Sequence, residues 1–186
     1  DADGTVCDRD TGELLPGVME KIQSLPADAK LAIVTNQGGV GLRLWMKECG
    51  FGEPDKYPKE ADVRSQYTSV AAAISGTQPC PVYFSFAYRS KKSGEWGPIP
   101  GRNFVAEKAD KILGNEEMQA KEWVNVPREW HPEMRKPAPG MLLRAMQDAG
   151  VAPCVAVMIG DRDEDEQAAK AAGVEFIHAD EFFGRG

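Results

Sequence analysis

Two carboxylates stand two residues apart in Asp1-Ala2-Asp3-Gly4-Thr5, at the start of the chain. On an extended strand, side chains i and i+2 point to the same face. Asp1 and Asp3 therefore meet as a strand runs out, where Gly4 lets the backbone bend sharply. Carboxylates held this close repel, and the site favours a cation beside them. An oxygen-only donor set suits Mg²⁺, which keeps waters and recruits substrate phosphates. A carboxylate near a metal-bound phosphoryl group can attack phosphorus and form an aspartyl-phosphate. Its neighbour can protonate the leaving oxygen and later activate water. The same residues are also a turn signal and the opening of a calcium loop. A calcium loop needs an acidic or amide side chain at its fifth position and Glu at its twelfth, where this chain has Thr5 and Gly12.

The elements that must position these groups are legible downstream. Residues 6–15 read as a polar loop. Pro16 opens a helix whose Val18, Met19, Ile22 and Leu25 fall at helical spacing. Leu31-Ala32-Ile33-Val34 is a short continuous apolar run, the pattern of a strand buried on both faces of a parallel sheet. Helices are expected over 41–49 and 59–74, and a strand over 80–86. A further helix runs from about Pro139 to Ala149, and Val155 to Ile159 is a second buried strand. A helix through Ala172 follows, stopped by Gly173, then a short strand, Val174 to Ile177. Strands alternating with helices imply right-handed crossovers, and the fold class is α/β with a doubly wound parallel sheet. A single domain over 1–186 is expected, with residues 87–135 a modest insertion and no large cap domain. Within that insertion, 90–101 reads as loop and 103–113 as a helix. A strand that delivers Asp1 to a site needs residues before it, so a few are expected to precede this sequence.

In open α/β sheets, ligands bind beyond the carboxyl ends of the strands. Three strands end in chemistry here: at Asp1 and Asp3, at Thr35 and Asn36, and at Asp161, with Asp163 and Asp165 close behind. Lys136 precedes a helix that packs on the same sheet. Acidic groups hold a divalent metal, the Thr35 hydroxyl and nearby amides donate to phosphate oxygens, and Lys136 supplies fixed positive charge. Phosphoryl transfer needs little more than such positioning and charge neutralisation.

Composition narrows the function classes. The chain has 186 residues, 42% hydrophobic and 27% charged, with a net charge of −7. This is a core-forming globular composition, and its acidity argues against nucleic-acid binding by bulk electrostatics. The four cysteines, Cys7, Cys49, Cys80 and Cys154, form no C-x-x-C pair. Reduced cytoplasmic thiols are the simpler expectation than a disulfide framework or a zinc site. No apolar run reaches membrane-spanning length, no signal peptide is visible, and no membrane partner is expected.

The order Asp1-Ala2-Asp3-Gly4-Thr5, Thr35-Asn36-Gln37, Arg135-Lys136-Pro137 and Gly160-Asp161-Arg162-x-x-Asp165 resembles the haloacid dehalogenase (HAD) superfamily of phosphohydrolases. Thr35-Asn36-Gln37 with Arg135-Lys136-Pro137-x-x-Gly140-Met141 is similar to its subfamily III, which holds histidinol-phosphate, heptose-bisphosphate and polynucleotide 3′-phosphatases. The resemblance implies a Rossmann-like core and a Mg²⁺-dependent phosphomonoesterase. It makes Asp1 the nucleophile and Asp3 the general acid/base, with its backbone carbonyl a metal ligand. Asp161 coordinates Mg²⁺, and Asp165 supports the ion or orients Lys136. Thr35 and Asn36 lie at the phosphoryl group, and Lys136 holds it together with Asp1. Asp163 is expected to cap the following helix, and Arg162 to pair with an acidic neighbour. The Cys/His zinc loop of the first two groups has no counterpart here. Residues 87–134 instead carry Arg89, Lys91, Lys92, Arg102, Trp96, Trp123 and Trp130. Such a mixture can serve an exposed nucleotide end, but tryptophans anchoring a small core and lysines on a solvated loop are the preferred reading. The expected substrate is a small sugar or nucleotide phosphate. The alternatives are a polynucleotide 3′-phosphatase acting on nucleic-acid ends and a non-catalytic phosphate-binding or scaffold protein. Substrate identity and the choice between monomer and dimer stay open at this point.

Overall fold

A computed structural model describes residues 1–76, 78–100 and 126–185. Arg102, Trp123 and the helix expected over 103–113 lie outside the described residues. The chain runs α1 (Val18–Gln23), β1 (Ile33–Asn36), α2 (Gly38–Cys49), α3 (Glu60–Ile74) and β2 (Val82–Ser85). It continues through α4 (Gly140–Ala149), β3 (Val157–Gly160), α5 (Asp163–Ala172), β4 (Glu175–His178) and α6 (Ala179–Phe183).

The strands form two parallel pairs rather than one continuous sheet. β1 lies on β2 with Ile33 opposite Val82 and Asn36 opposite Ser85. β3 lies on β4 with Val157 opposite Glu175 and Gly160 opposite His178. Each pair is joined through helices, as parallel strands require: α2 and α3 between β1 and β2, α5 between β3 and β4. This is a mixed α/β architecture consistent with a Rossmann-like fold. The segment from Asp1 to Asp3 touches the second pair directly and is linked to the first through Lys136. The Asp1 nitrogen donates to the Ile159 carbonyl of β3 at 2.6 Å, and the ammonium that holds the Asp1 carboxylate also donates to Val34 of β1 at 3.1 Å.

β1 feeds two cores, because alternate residues of a strand face opposite sides. Ile33 packs with Ala2, Cys7, Val18, Tyr67, Phe84, Phe86 and Trp130. Val34 packs with Met134, Met141, Met158, Ala168 and Val174. α3 turns Val63, Tyr67, Val70, Ala71 and Ile74 to the first core, the stripe of an amphipathic helix. Trp130 lies tilted against Phe86 at 5.6 Å and is a core anchor. Arg89 covers Trp96 at 5.7 Å, and Lys91 and Lys92 are exposed.

Several boundaries differ from the expectation. β1 starts at Ile33, not Leu31. The Ile33 N–H is taken by the carbonyl of Pro81 at 2.9 Å, and Pro81 has no N–H to extend the ladder in return. Residues 6–15 are no simple polar loop. Val6 and Cys7 are buried, and Cys7 bridges Leu14 antiparallel. The Asp8 carboxylate closes the tip by accepting from the Asp10 and Thr11 amides at 2.9 and 2.8 Å. No helix among the described residues is long and apolar enough to cross a membrane.

Candidate active site

Asp1, Lys136, Asp161 and Asp165 come together at the carboxyl ends of β1 and β3, while Thr35, buried near the end of β1, meets Gln37. At the centre is the Lys136 ammonium, 3% exposed. It lies 2.5 Å from Asp1 Oδ1 and 2.6 Å from Asp165 Oδ1 and donates to the Val34 carbonyl at 3.1 Å. Burial pulls its pKa below the ordinary lysine value, while the charge of Asp165 pulls the other way. Three acceptors around three N–H groups leave the ammonium fully satisfied.

Asp161 follows the last residue of β3 and is half-buried. Burial, then the charge of Asp165, raises its pKa above the ordinary carboxylate value. Gly4 is the close neighbour that fixes the entry turn. Its φ is +77°, and a Cβ there would lie 2.5 Å from Asp161 Oδ2. The absence of a side chain thus serves both the left-handed backbone and the approach of the two segments. Gly160 plays the same steric part for α5, where a Cβ would meet the Asp165 Cβ at 2.4 Å.

One oxygen from each of Asp1, Asp161 and Asp165 falls within 4.8 Å of the others. Ligand oxygens on opposite sides of a Mg²⁺ ion lie about 4.2 Å apart, twice the usual 2.1 Å bond; the all-oxygen donor set suits the ion, and the carboxylates would draw together around it. Asp165 is the most committed of the three. Its Oδ1 faces Lys136, and its Oδ2 accepts from the Arg162 amide at 3.2 Å. That second bond corrects the helix-cap expectation. Arg162 occupies the N-cap, and Asp165, three residues on, supplies the capping carboxylate, while Asp163 is exposed at the first helical position. Arg162 does approach an acidic neighbour, Asp161, at 3.6 Å.

Asp3 faces away from this cluster. Its Oδ1 accepts a short hydrogen bond from the Tyr67 hydroxyl, and its Oδ2 accepts from Gln37 Nε2 at 3.1 Å. Arg9 approaches Oδ2 at 3.8 Å. Gln37 Nε2 also lies 3.0 Å from Thr35 Oγ1 and 2.7 Å from the Tyr67 oxygen. The two N–H groups of Nε2 are shared among these three oxygens, and where the Thr35 oxygen accepts, its own proton is left for another acceptor. Burial, then the bond to Asp3, pushes the Tyr67 phenol well above its ordinary pKa, so it stays a donor.

Asn36 has its amide engaged by the lysine loop. Its Oδ1 accepts from the Lys136 N–H at 3.0 Å, and its Nδ2 donates to the Lys136 carbonyl at 3.0 Å. The pair copies a strand rung and sets where Lys136 begins its reach. Gln37 and Tyr67 are the residues that sequence reasoning missed as site residues. Gln37 stood within the Thr35-Asn36-Gln37 motif. Tyr67 carries a weaker signal, a hydroxyl on an otherwise apolar helical stripe.

Residues 133–179, which include Lys136, Asp161 and Asp165, match the family model described as HAD-hydrolase-like. A phosphoglycolate phosphatase of Pseudomonas putida is 51% identical over 43 residues, which make up 23% of this chain and 16% of that protein. Both matches support the HAD superfamily for this chain.

Proposed function

We propose that the protein is a Mg²⁺-dependent phosphomonoester hydrolase that works through an aspartyl-phosphate on Asp1, with a small sugar or nucleotide phosphate, or another small phosphorylated metabolite, as substrate. The observation that carries this reading is the buried Lys136 ammonium gripping Asp1 Oδ1, with the oxygens of Asp1, Asp161 and Asp165 gathered beside it. A lysine there neutralises charge without competing for phosphorus, and the Asp1 oxygen that it does not hold is left to act. Asp1 and Asp161 would hold the ion, with Asp165 behind them. A bound Mg²⁺ supplies charge neutralisation to the phosphoryl oxygens. The Asp1 carboxylate bonds to phosphorus as the ester P–O bond breaks, and the ester oxygen takes a proton from Asp3. Water then attacks phosphorus and gives its proton to Asp3, the P–O bond to Asp1 breaks, and inorganic phosphate leaves. Thr35 donates its hydroxyl proton to a phosphoryl oxygen. All four cysteines are free, which suits a reducing compartment, and we place the protein in the cytoplasm.

The test is phosphate release from a panel of phosphomonoesters, with Mg²⁺ and with EDTA, for wild type and Asp1→Asn. The panel holds sugar phosphates, nucleotides, 2-phosphoglycolate and a 3′-phosphorylated oligonucleotide. Release that needs the metal and disappears in Asp1→Asn is expected, with a small phosphate ester as the best substrate. Equal activity in Asp1→Asn refutes the nucleophile, and preference for the oligonucleotide moves the protein to nucleic-acid ends. Folded wild type that releases nothing from any ester favours the non-catalytic alternative.

A further inference from the structure

We infer that Tyr67, with Gln37, is a positioning residue that aims the Asp3 carboxyl at the leaving oxygen of the substrate; the inference rests on the hydrolase reading above. Tyr67 sits on α3, outside every motif that marks the site. It is 2% exposed, on a stripe otherwise made of Val63, Val70, Ala71 and Ile74. Phenylalanine would fill the same space, so packing alone does not call for the hydroxyl. The ring is fixed by the first core and lies 6.1 Å from Phe84, edge-on. Its hydroxyl therefore emerges from the core at a defined point, and there it donates to Asp3 Oδ1.

Gln37 grips the other oxygen at 3.1 Å and is itself tied to the Tyr67 oxygen at 2.7 Å. Two donors on two oxygens fix the plane of a carboxyl group. They leave one lone pair on each oxygen in a set direction, and the proton in transit uses one of those. The same Gln37 amide reaches Thr35 Oγ1 at 3.0 Å. The two N–H groups of Gln37 Nε2 are shared among Asp3, Tyr67 and Thr35, so one side chain keeps the three groups near one another. Asp3 is consequently kept with Gln37 and Tyr67, outside the contacts of the Lys136 ammonium with Asp1 and Asp165.

A proton donor matters most for a poor leaving group. An alkoxide must be protonated as it leaves, whereas a nitrophenolate departs as the anion. The experiment measures kcat/KM with Mg²⁺ for a series running from p-nitrophenyl phosphate to phenyl phosphate to an alkyl phosphate. It uses the full chain as wild type, Tyr67→Phe, Gln37→Ala and Tyr83→Phe. Tyr83 binds Asp148 at 3.0 Å on the exposed side of β2, away from the site, and serves as the control. General acid catalysis contributes about 10²–10⁴-fold. Loss of its aim in Tyr67→Phe is therefore expected to lower the alkyl ester by about tenfold to a hundredfold and the nitrophenyl ester by less than about threefold. Gln37→Ala is expected to tilt the series the same way, and Tyr83→Phe to leave it parallel to wild type. Equal losses of Tyr67→Phe and Gln37→Ala across the series, or none, overturn the inference while leaving the hydrolase reading intact. Wild type silent on every ester overturns both.

Discussion

Replacing Lys136 by methionine is the sharpest test of how the cluster is held. The side chain keeps its length but loses the charge, and the Asp1 and Asp165 side chains, 7% and 2% exposed, keep theirs. At an effective dielectric of about 20, two unit charges no more than 4.8 Å apart repel by at least about 3.5 kcal/mol, a repulsion that the ammonium offsets in wild type. Removing one partner of a buried pair costs about 3–5 kcal/mol by measurement elsewhere, so the two figures agree. For a chain of this size each kcal/mol moves Tm by about 2–4 °C, and a fall of about 6–20 °C is expected. The assay is thermal unfolding at neutral pH in EDTA, repeated with Mg²⁺. Without the ammonium, three carboxylates remain with less to balance them, so Mg²⁺ should raise the Tm of Lys136→Met by more than that of wild type. A fall below about 2 °C in EDTA, or an equal Mg²⁺ response in both proteins, would refute the reasoning.

Steric and proton-linked effects give three further tests. In Gly4→Ala the new Cβ starts 2.5 Å from Asp161 Oδ2, where ordinary contact begins at 3.4 Å, so Asp161 must move by about an ångström. A displacement of that size costs about a hundredfold in turnover, with about 1–2 kcal/mol of left-handed strain in unfolding experiments; unchanged kcat would sink the claim. Burial, then the charge of Asp3, pushes the Cys7 thiol from 9.0 up to about 11, and burial does the same for Cys80. A raised folded pKa means the native state keeps protons that the unfolded chain loses. That stability is fully present below pH 9 and is lost as pH rises towards about 11, so the urea midpoint should fall across that window. A thiol reagent at pH 8 should titrate Cys49 and Cys154, which are exposed, well before Cys7 and Cys80; four equally fast thiols would contradict it.

The sequence by itself marked candidate side chains and their approximate address. Thr35 and Asp161 were legible because each follows an apolar run, and Asp1, Asp3, Lys136 and Asp165 because they stand in short motifs whose order along the chain resembles a known family; such patterns need no knowledge of contacts. The strand and helix order was legible for the same reason, and most boundaries shifted by a residue or two, since a strand's ends are set by the partner it finds. Only the tertiary structure decided which groups touch. Lys136 and Asp1 are 135 residues apart in sequence, and nothing local says that the ammonium divides itself between Asp1 and Asp165. Asn36 bonding the Lys136 backbone, Asp165 rather than Asp163 capping α5, and Asp3 held by Tyr67 all depend on how helices seat against the strands. Tyr67 reads as core by period alone. Its one polar atom gains a partner because α3 packs its stripe into the core shared with Ala2, Ile33 and Phe84, beside which Asp3 and Gln37 lie, a relation that periodicity does not encode.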